Sequence, residues 1–172
     1  MDTFDTVQIR ELHAGEIEEA HGLLASVFEA FIAPHYSDAG NREFKAFITP
    51  SNLRRELAGS SFILIARVEG AMAGLIGIRD HDHVFLLFVR EAYQRQGIAR
   101  ALLAEALARC VEVRPGLERV TVHASPHAVE AYKRLGFTAT GEEQSVKRMR
   151  FVPMVLHLDH GGGDGSGRKR SP

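Results

Sequence analysis

The stretch from Val84 to Leu103 restricts the fold of this chain more than any other. Val84, Phe85, Leu86, Leu87, Phe88 and Val89 form an unbroken apolar run; a polar loop follows, and from Gly97 onward Ile98, Leu102, Ala106, Leu107 and Cys110 recur at helical spacing. A strand that is apolar on both sides belongs in the middle of a sheet, with helices over both faces. A helix that begins at a glycine just after such a strand points several unpaired backbone N–H groups at one spot. Its dipole adds about half a positive charge there, and the two effects together make a phosphate site. Gly97 has no Cβ, so an anion can approach its backbone closely. Ala99 is small for the same reason, and Arg95 and Arg100 add positive charge at the rim. The G-K-[S/T] end of a nucleotide P-loop and the G-x-G-x-x-G of a dinucleotide fold are both missing, which excludes those nucleotide readings. Taken alone, the loop could still be an ordinary strand-to-helix junction.

The flanking pattern supplies the rest of a mixed sheet. Thr6 to Arg10 reads as a first strand. Ile17, Ala20, Leu24, Val27, Phe28 and Phe31 then mark one face of a helix that Pro34 stops. Asn41 to Phe47 and Pro50 to Leu57 read as two further helical stretches. Phe62 to Val68 and Met72 to Ile78 form a hairpin turning at Glu69-Gly70. The helix from Gly97 ends at Pro115-Gly116, Val120 to His123 is a short strand, and Pro126 opens a helix that Gly136 closes after Leu135. Phe137 to Glu143 and Phe151 to Leu158 are the closing strands. The class is α/β, a mixed sheet with helices on both sides.

Composition narrows the class further. The chain has 172 residues, 45% hydrophobic and 25% charged, with a net charge of -1, so residues 1–160 suit a single domain and the balance does not suit a general nucleic-acid binder. Residues 161–172, GGGDGSGRKRSP, are too polar and glycine-rich to bury a surface, and we read them as a flexible tail. The acidic start Met1-Asp2-Thr3-Phe4-Asp5 lacks the order of a signal peptide, and no apolar run is long enough to span a membrane, so a cytoplasmic protein with no membrane partner is expected. A lone cysteine, Cys110, allows no internal disulfide, and its place on an apolar helix face favours a buried thiol over a nucleophile. His81-x-His83 without a third ligand is a solvated turn rather than a metal site. Lys147-Arg148-Met149-Arg150 reads as a solvated hairpin, with contact to an acidic substrate or a phosphate as its alternative.

Two motifs together resemble the GNAT acetyltransferase superfamily. Gln94, Gly97 and Ala99 match its pyrophosphate signature, and Ala128, Tyr132, Leu135, Gly136 and Phe137 match its second motif, A-x-x-x-Y-x-x-L-G-F. The resemblance covers roughly Phe62 to Leu158. It implies a mostly antiparallel sheet of about seven strands flanked by about four helices, and a chain that moves an acetyl group from acetyl-CoA to a primary amine, without a metal. The backbones of Leu87, Phe88 and Val89 would hold the pantetheine arm. The N–H groups of Arg95, Gln96, Gly97, Ile98, Ala99 and Arg100 would hold the pyrophosphate. Ser125 stands where many members carry an asparagine that touches the cofactor. Tyr132 stands at the tyrosine that commonly faces the sulfur, and Val89 N–H at the oxyanion donor. A homodimer is a further implication, and the amine acceptor stays unidentified. A non-catalytic acyl-CoA sensor is the reading from another class.

Amine attack also needs a route for the proton, because an alkyl ammonium with a pKa near ~10.4 is rarely neutral at pH 7. His123, Glu142 and Glu143 are the candidate bases beside a water-mediated path. His81, Asp82 and His83 fall in a turn expected at the end away from the cofactor. Phe28, Phe31, His35 and Tyr36 would either line an acceptor pocket or pack the core.

Overall fold

The computed structural model describes residues 6–159. The expected tail and the boundary at residue 160 lie outside the described residues. Among these there are eight strands and five α-helices: β1 (Val7–Glu11), α1 (Ile17–Phe31), α2 (Asp38–Phe47), α3 (Pro50–Ala58), β2 (Ser61–Val68), β3 (Ala71–Arg79), β4 (His83–Val89), α4 (Ile98–Val113), β5 (Arg119–Ala124), α5 (Val129–Arg134), β6 (Thr138–Ala139), β7 (Gln144–Val146) and β8 (Met149–His157). The sheet runs β1-β2-β3-β4-β5-β8-β6, with β7 also on β8. Every pairing is antiparallel except β4 with β5.

Two apolar cores sandwich the sheet. On one face α1, with Leu24, Phe28 and their neighbours, covers Ile63, Ile65, Leu75 and Leu86. On the other, α4 sets Ile98, Leu102, Ala106 and Cys110 against Leu64, Ile76, Val84 and Val122. The apolar run of β4 is explained by this burial on both sides. A bulge interrupts its alternation between Val84 and Leu86. Phe85 and Leu86 therefore both pack on the α1 face, while Val84 and Leu87 belong to the α4 face.

The C-terminal strands depart from the expected pair. The strand expected over Phe137 to Glu143 shortens to β6, and β7 begins only after it, at Gln144. Thr140 N–H still reaches Pro153 O at 2.9 Å, but proline has no N–H to return the bond, so the ladder stops there. β7 and β8 then form a hairpin whose turn residues Lys147 and Arg148 are both left-handed, at φ 49° and 63°. The hairpin expected at this basic segment is thus present, although neither residue usually signals such a turn. This hairpin is clamped under α2. A Cβ on Gly40 would lie 2.6 Å from Arg148 O, so only glycine lets the helix come this close. Tyr36 Oη adds a hydrogen bond to Arg150 O at 2.8 Å.

Candidate active site

The site follows from one failure of pairing. β4 and β5 are in register only at His83–Thr121 and Val84–Val122. Beyond these two rungs the strands separate, and one edge of β4 is left without a partner strand among the described residues. Arg90 N–H bonds Ala73 O on β3 at 2.8 Å. By antiparallel alternation the backbone of Phe88 also faces β3, whereas Leu87 and Val89 face the gap. Of the three strand residues singled out in the sequence, Phe88 thus has its backbone engaged elsewhere. Val89 O accepts from the Gln94 amide at 3.0 Å, and Val89 N–H stays free to donate.

At the open end of the gap lies the loop before α4. Arg95 and Gly97 are both left-handed, at φ 63° and 81°. This winding turns successive amides toward one side, the geometry of an anion nest. Among the described residues no N–H from Arg95 to Arg100 has a hydrogen-bond partner, and no side chain caps the helix; the first closed bond is Ala101 N–H to Gly97 O. A Cβ on Gly97 would meet nothing within 4 Å, so the space beyond it is open to a ligand. The residues present therefore fit a diphosphate. The Arg100 side chain is not at this rim: it donates to Arg134 O at 2.8 Å, tying α4 to the end of α5.

The gap widens into a cavity of about 430 Å³, within the usual range for small-ligand sites. Its lining comes from both faces of the sheet. On the α5 side it is lined by Ser125, Ala128 and Tyr132. Ser125 Oγ lies 3.3 Å from His127 Nδ1. The Tyr132 ring sits edge-on to Phe137 at 5.4 Å, and its hydroxyl has no hydrogen-bond partner among the described residues. Burial pushes the Tyr132 phenol above the ordinary tyrosine range, so it remains a donor.

His83 and His123 meet in the cavity wall. Their rings are 4.9 Å apart and edge-on, and His123 stacks on Phe151 at 4.2 Å. His83 Nδ1 lies 2.8 Å from Thr121 Oγ1. Burial, the neighbouring His123 and Arg79 lower the His83 pKa to about 4; burial and Arg79 lower that of His123. Both imidazoles are neutral at pH 7 and able to accept a proton. The expectation for the His81 turn is thus corrected in part: it does lie at the far end of β4 from Gly97, but His83 lines the same cavity because the cleft closes there. No local sequence signal marks it, since the β4–β5 pairing alone sets it beside the strand that carries His123. His81 instead faces Phe62 on the opposite side. Neither glutamate lines the cavity, and Glu143 is held by Arg150 at 2.8 Å. Cys110 is buried in the α4 core with its thiol pushed up to about 11, which removes it as a nucleophile.

Of the four acceptor-pocket candidates, Phe28 is fully buried and stacks on Phe44 at 4.4 Å, so it packs the core. Phe31 and Tyr36 line the cavity. His35 is exposed and stacks on His127 at 5.4 Å, across the cavity rim. No helix among the described residues is long and apolar enough to cross a membrane.

The fold has a family counterpart. The model of the acetyltransferase (GNAT) domain matches residues 32–158, and the chain belongs to this family of acyltransferases. Among solved structures, it is similar to a GCN5-related N-acetyltransferase from Rhodopseudomonas palustris, with 22% identity over 89% of this chain and 96% of that one and a TM-score of 0.77. It is also similar to the PaiA N-acetyltransferase from Thermoplasma acidophilum, in complex with coenzyme A, at 17% identity, 89% and 99% coverage and a TM-score of 0.72. The ribosomal-protein-S18-alanine N-acetyltransferase from Escherichia coli shares 19% identity over 92% of this chain and 98% of its own, with a TM-score of 0.63. At these identities the likeness is one of fold. No curated protein sequence matches the chain.

Proposed function

We propose that this chain transfers an acetyl group from acetyl-CoA to the primary amine of a small molecule or protein, by direct attack in a ternary complex. One observation carries the reading: the unpaired edge of β4 leads from the free amides at Gly97 to a cavity holding Tyr132 on one side and His123 on the other. An extended pantetheine arm suits the outward-facing backbones of Leu87 and Val89. The amides from Arg95 to Arg100 suit the diphosphate, and Ser125 sits at the rim of the same channel.

The thioester supplies the activated carbonyl; the remaining work falls to this chain. The attacking amine loses a proton as its nitrogen bonds the carbonyl carbon, and neutral His123, directly or through water, takes that proton. Val89 N–H, held rigid by β3 and by Gln94, donates to the oxygen that gains charge. As the C–S bond breaks, Tyr132 Oη donates a hydrogen bond to the leaving sulfur. Tyrosine is the weaker acid, with a reference pKa of ~10 against ~8.5 for a thiol. Donation therefore asks less of it than complete transfer.

Isothermal calorimetry with acetyl-CoA, followed by thiol release against a panel of amines, tests this reading. Saturable binding and acceptor-dependent thiol release are expected. Binding without release on any acceptor would favour the sensor reading, and no heat at millimolar coenzyme A would remove both.

A further inference from the structure

The two halves of the cavity differ in chemistry, and the half under α1 and α2 describes an acceptor. Its walls are Phe31, Tyr36, Phe44, Phe47, Phe85 and Phe151. The rings brace one another: Phe44 is 6.3 Å from Phe47 and 6.0 Å from Phe88, and Phe47 is edge-on to Phe85 at 6.1 Å. Among the described residues no aspartate or glutamate lines the cavity. The charged residues in its wall are both cations, Arg79 and Arg150, each already paired with a carboxylate outside the wall, Glu56 at 2.9 Å and Glu143 at 2.8 Å. The three wall histidines, His83, His123 and His127, all have lowered pKa values, and protonating any of them would only add positive charge.

We propose that the acceptor is a primary amine on an aromatic or apolar body that carries no second positive charge, and that diamines and polyamines are rejected. The proposal rests on the acetyl-transfer reading above. An ammonium at the reacting position is neutralised when it gives up its proton. A second ammonium deeper in the chamber keeps its charge, loses its water and meets no anion, which is unfavourable. Aromatic faces could compensate a buried cation, but one face of each of three rings is already taken. Phe44 stacks on Phe28 at 4.4 Å, Phe151 on His123 at 4.2 Å, and the Arg79 guanidinium lies 4.9 Å over Phe85. The surface that remains is apolar and favours hydrocarbon or an aryl ring.

The test compares hexylamine with 1,6-diaminohexane, which differ by one charge, alongside 2-phenylethylamine and spermidine. In acetyl-CoA-dependent thiol release, kcat/KM for hexylamine and 2-phenylethylamine is expected at least 100-fold above that for either polycation. A diamine within three-fold of hexylamine overturns the proposal. Phe47→Glu, which places a carboxylate in the partly exposed end of the wall, is expected to raise the diamine-to-hexylamine ratio at least ten-fold; an unchanged ratio also overturns it. Calorimetry of the same amines on the coenzyme-A-loaded chain separates the two levels of inference. A monoamine preference without turnover sinks only acetyl transfer, whereas turnover that favours the polycations sinks only the acceptor assignment. No heat from any of the amines sinks the acceptor assignment.

Discussion

Replacing Tyr132 by phenylalanine isolates the leaving-group role, because its hydroxyl has no structural partner to lose. Tyr132 lines the cavity, packs edge-on against Phe137 and makes no side-chain hydrogen bond among the described residues. Phenylalanine keeps the ring contact and removes only the oxygen, so the variant is expected to melt at or slightly above the wild-type temperature. A hydrogen bond to a charged partner contributes about 1.5–3 kcal/mol. If that bond forms only as the sulfur gains charge, its loss lowers kcat by roughly 10- to 150-fold and leaves coenzyme A affinity almost unchanged. Stopped-flow thiol release gives kcat, calorimetry gives the cofactor Kd, and a thermal melt gives the stability. An unchanged kcat would remove Tyr132 from the chemistry. A large drop in melting temperature would refute the premise that its hydroxyl is unpartnered.

Gly97→Val places a branched side chain at φ 81° and projects it into the open space beyond the amides. It is expected to weaken coenzyme A binding at least ten-fold by calorimetry and to cost about 1–2 kcal/mol of stability from the left-handed backbone. Gly40→Ala brings a Cβ to 2.6 Å from Arg148 O, so α2 or the β7–β8 hairpin must shift; chemical denaturation should show a loss of about 1–3 kcal/mol, with a higher acceptor KM. His83, with its pKa lowered to about 4 from an ordinary 6.5, is neutral when folded and protonated when unfolded between those values. The unfolded state then holds the extra proton, so stability should fall as pH drops from about 6.5 toward 4, by on the order of 2 kcal/mol given its partial exposure. His83→Gln should flatten that slope in urea titrations. His123, lowered in the same direction, should give kcat/KM an acid limb below pH 6.5; His123→Gln should abolish that limb, and an unaltered limb would point to another base.

The legible part of this site was local. Gln94, Gly97 and Ala99 declare a nest of free amides because helix geometry requires unpaired N–H groups wherever a helix begins without a cap. The apolar run of β4 declares a central strand because only burial on two faces tolerates it. The hairpin at Lys147 to Arg150 was legible as a hairpin, but its left-handed turn, which usually calls for glycine or asparagine, and its contact with α2 were not. Glu143 stood as a candidate base until β8 brought Arg150 to it, and Phe28 stood between pocket wall and core until Phe44 covered it.

Periodicity and spacing by themselves determined most of the order of elements and the free amides before α4, because each depends on residues within one or two turns of one another; Tyr132 was singled out by the resemblance. Only the tertiary structure decided where β4 and β5 part, which of Leu87, Phe88 and Val89 turns its backbone to the gap, and that His83 and His123 share a wall. Those outcomes are set by strand register and by the helix packed above. Register couples residues some forty positions apart, and no local pattern encodes it.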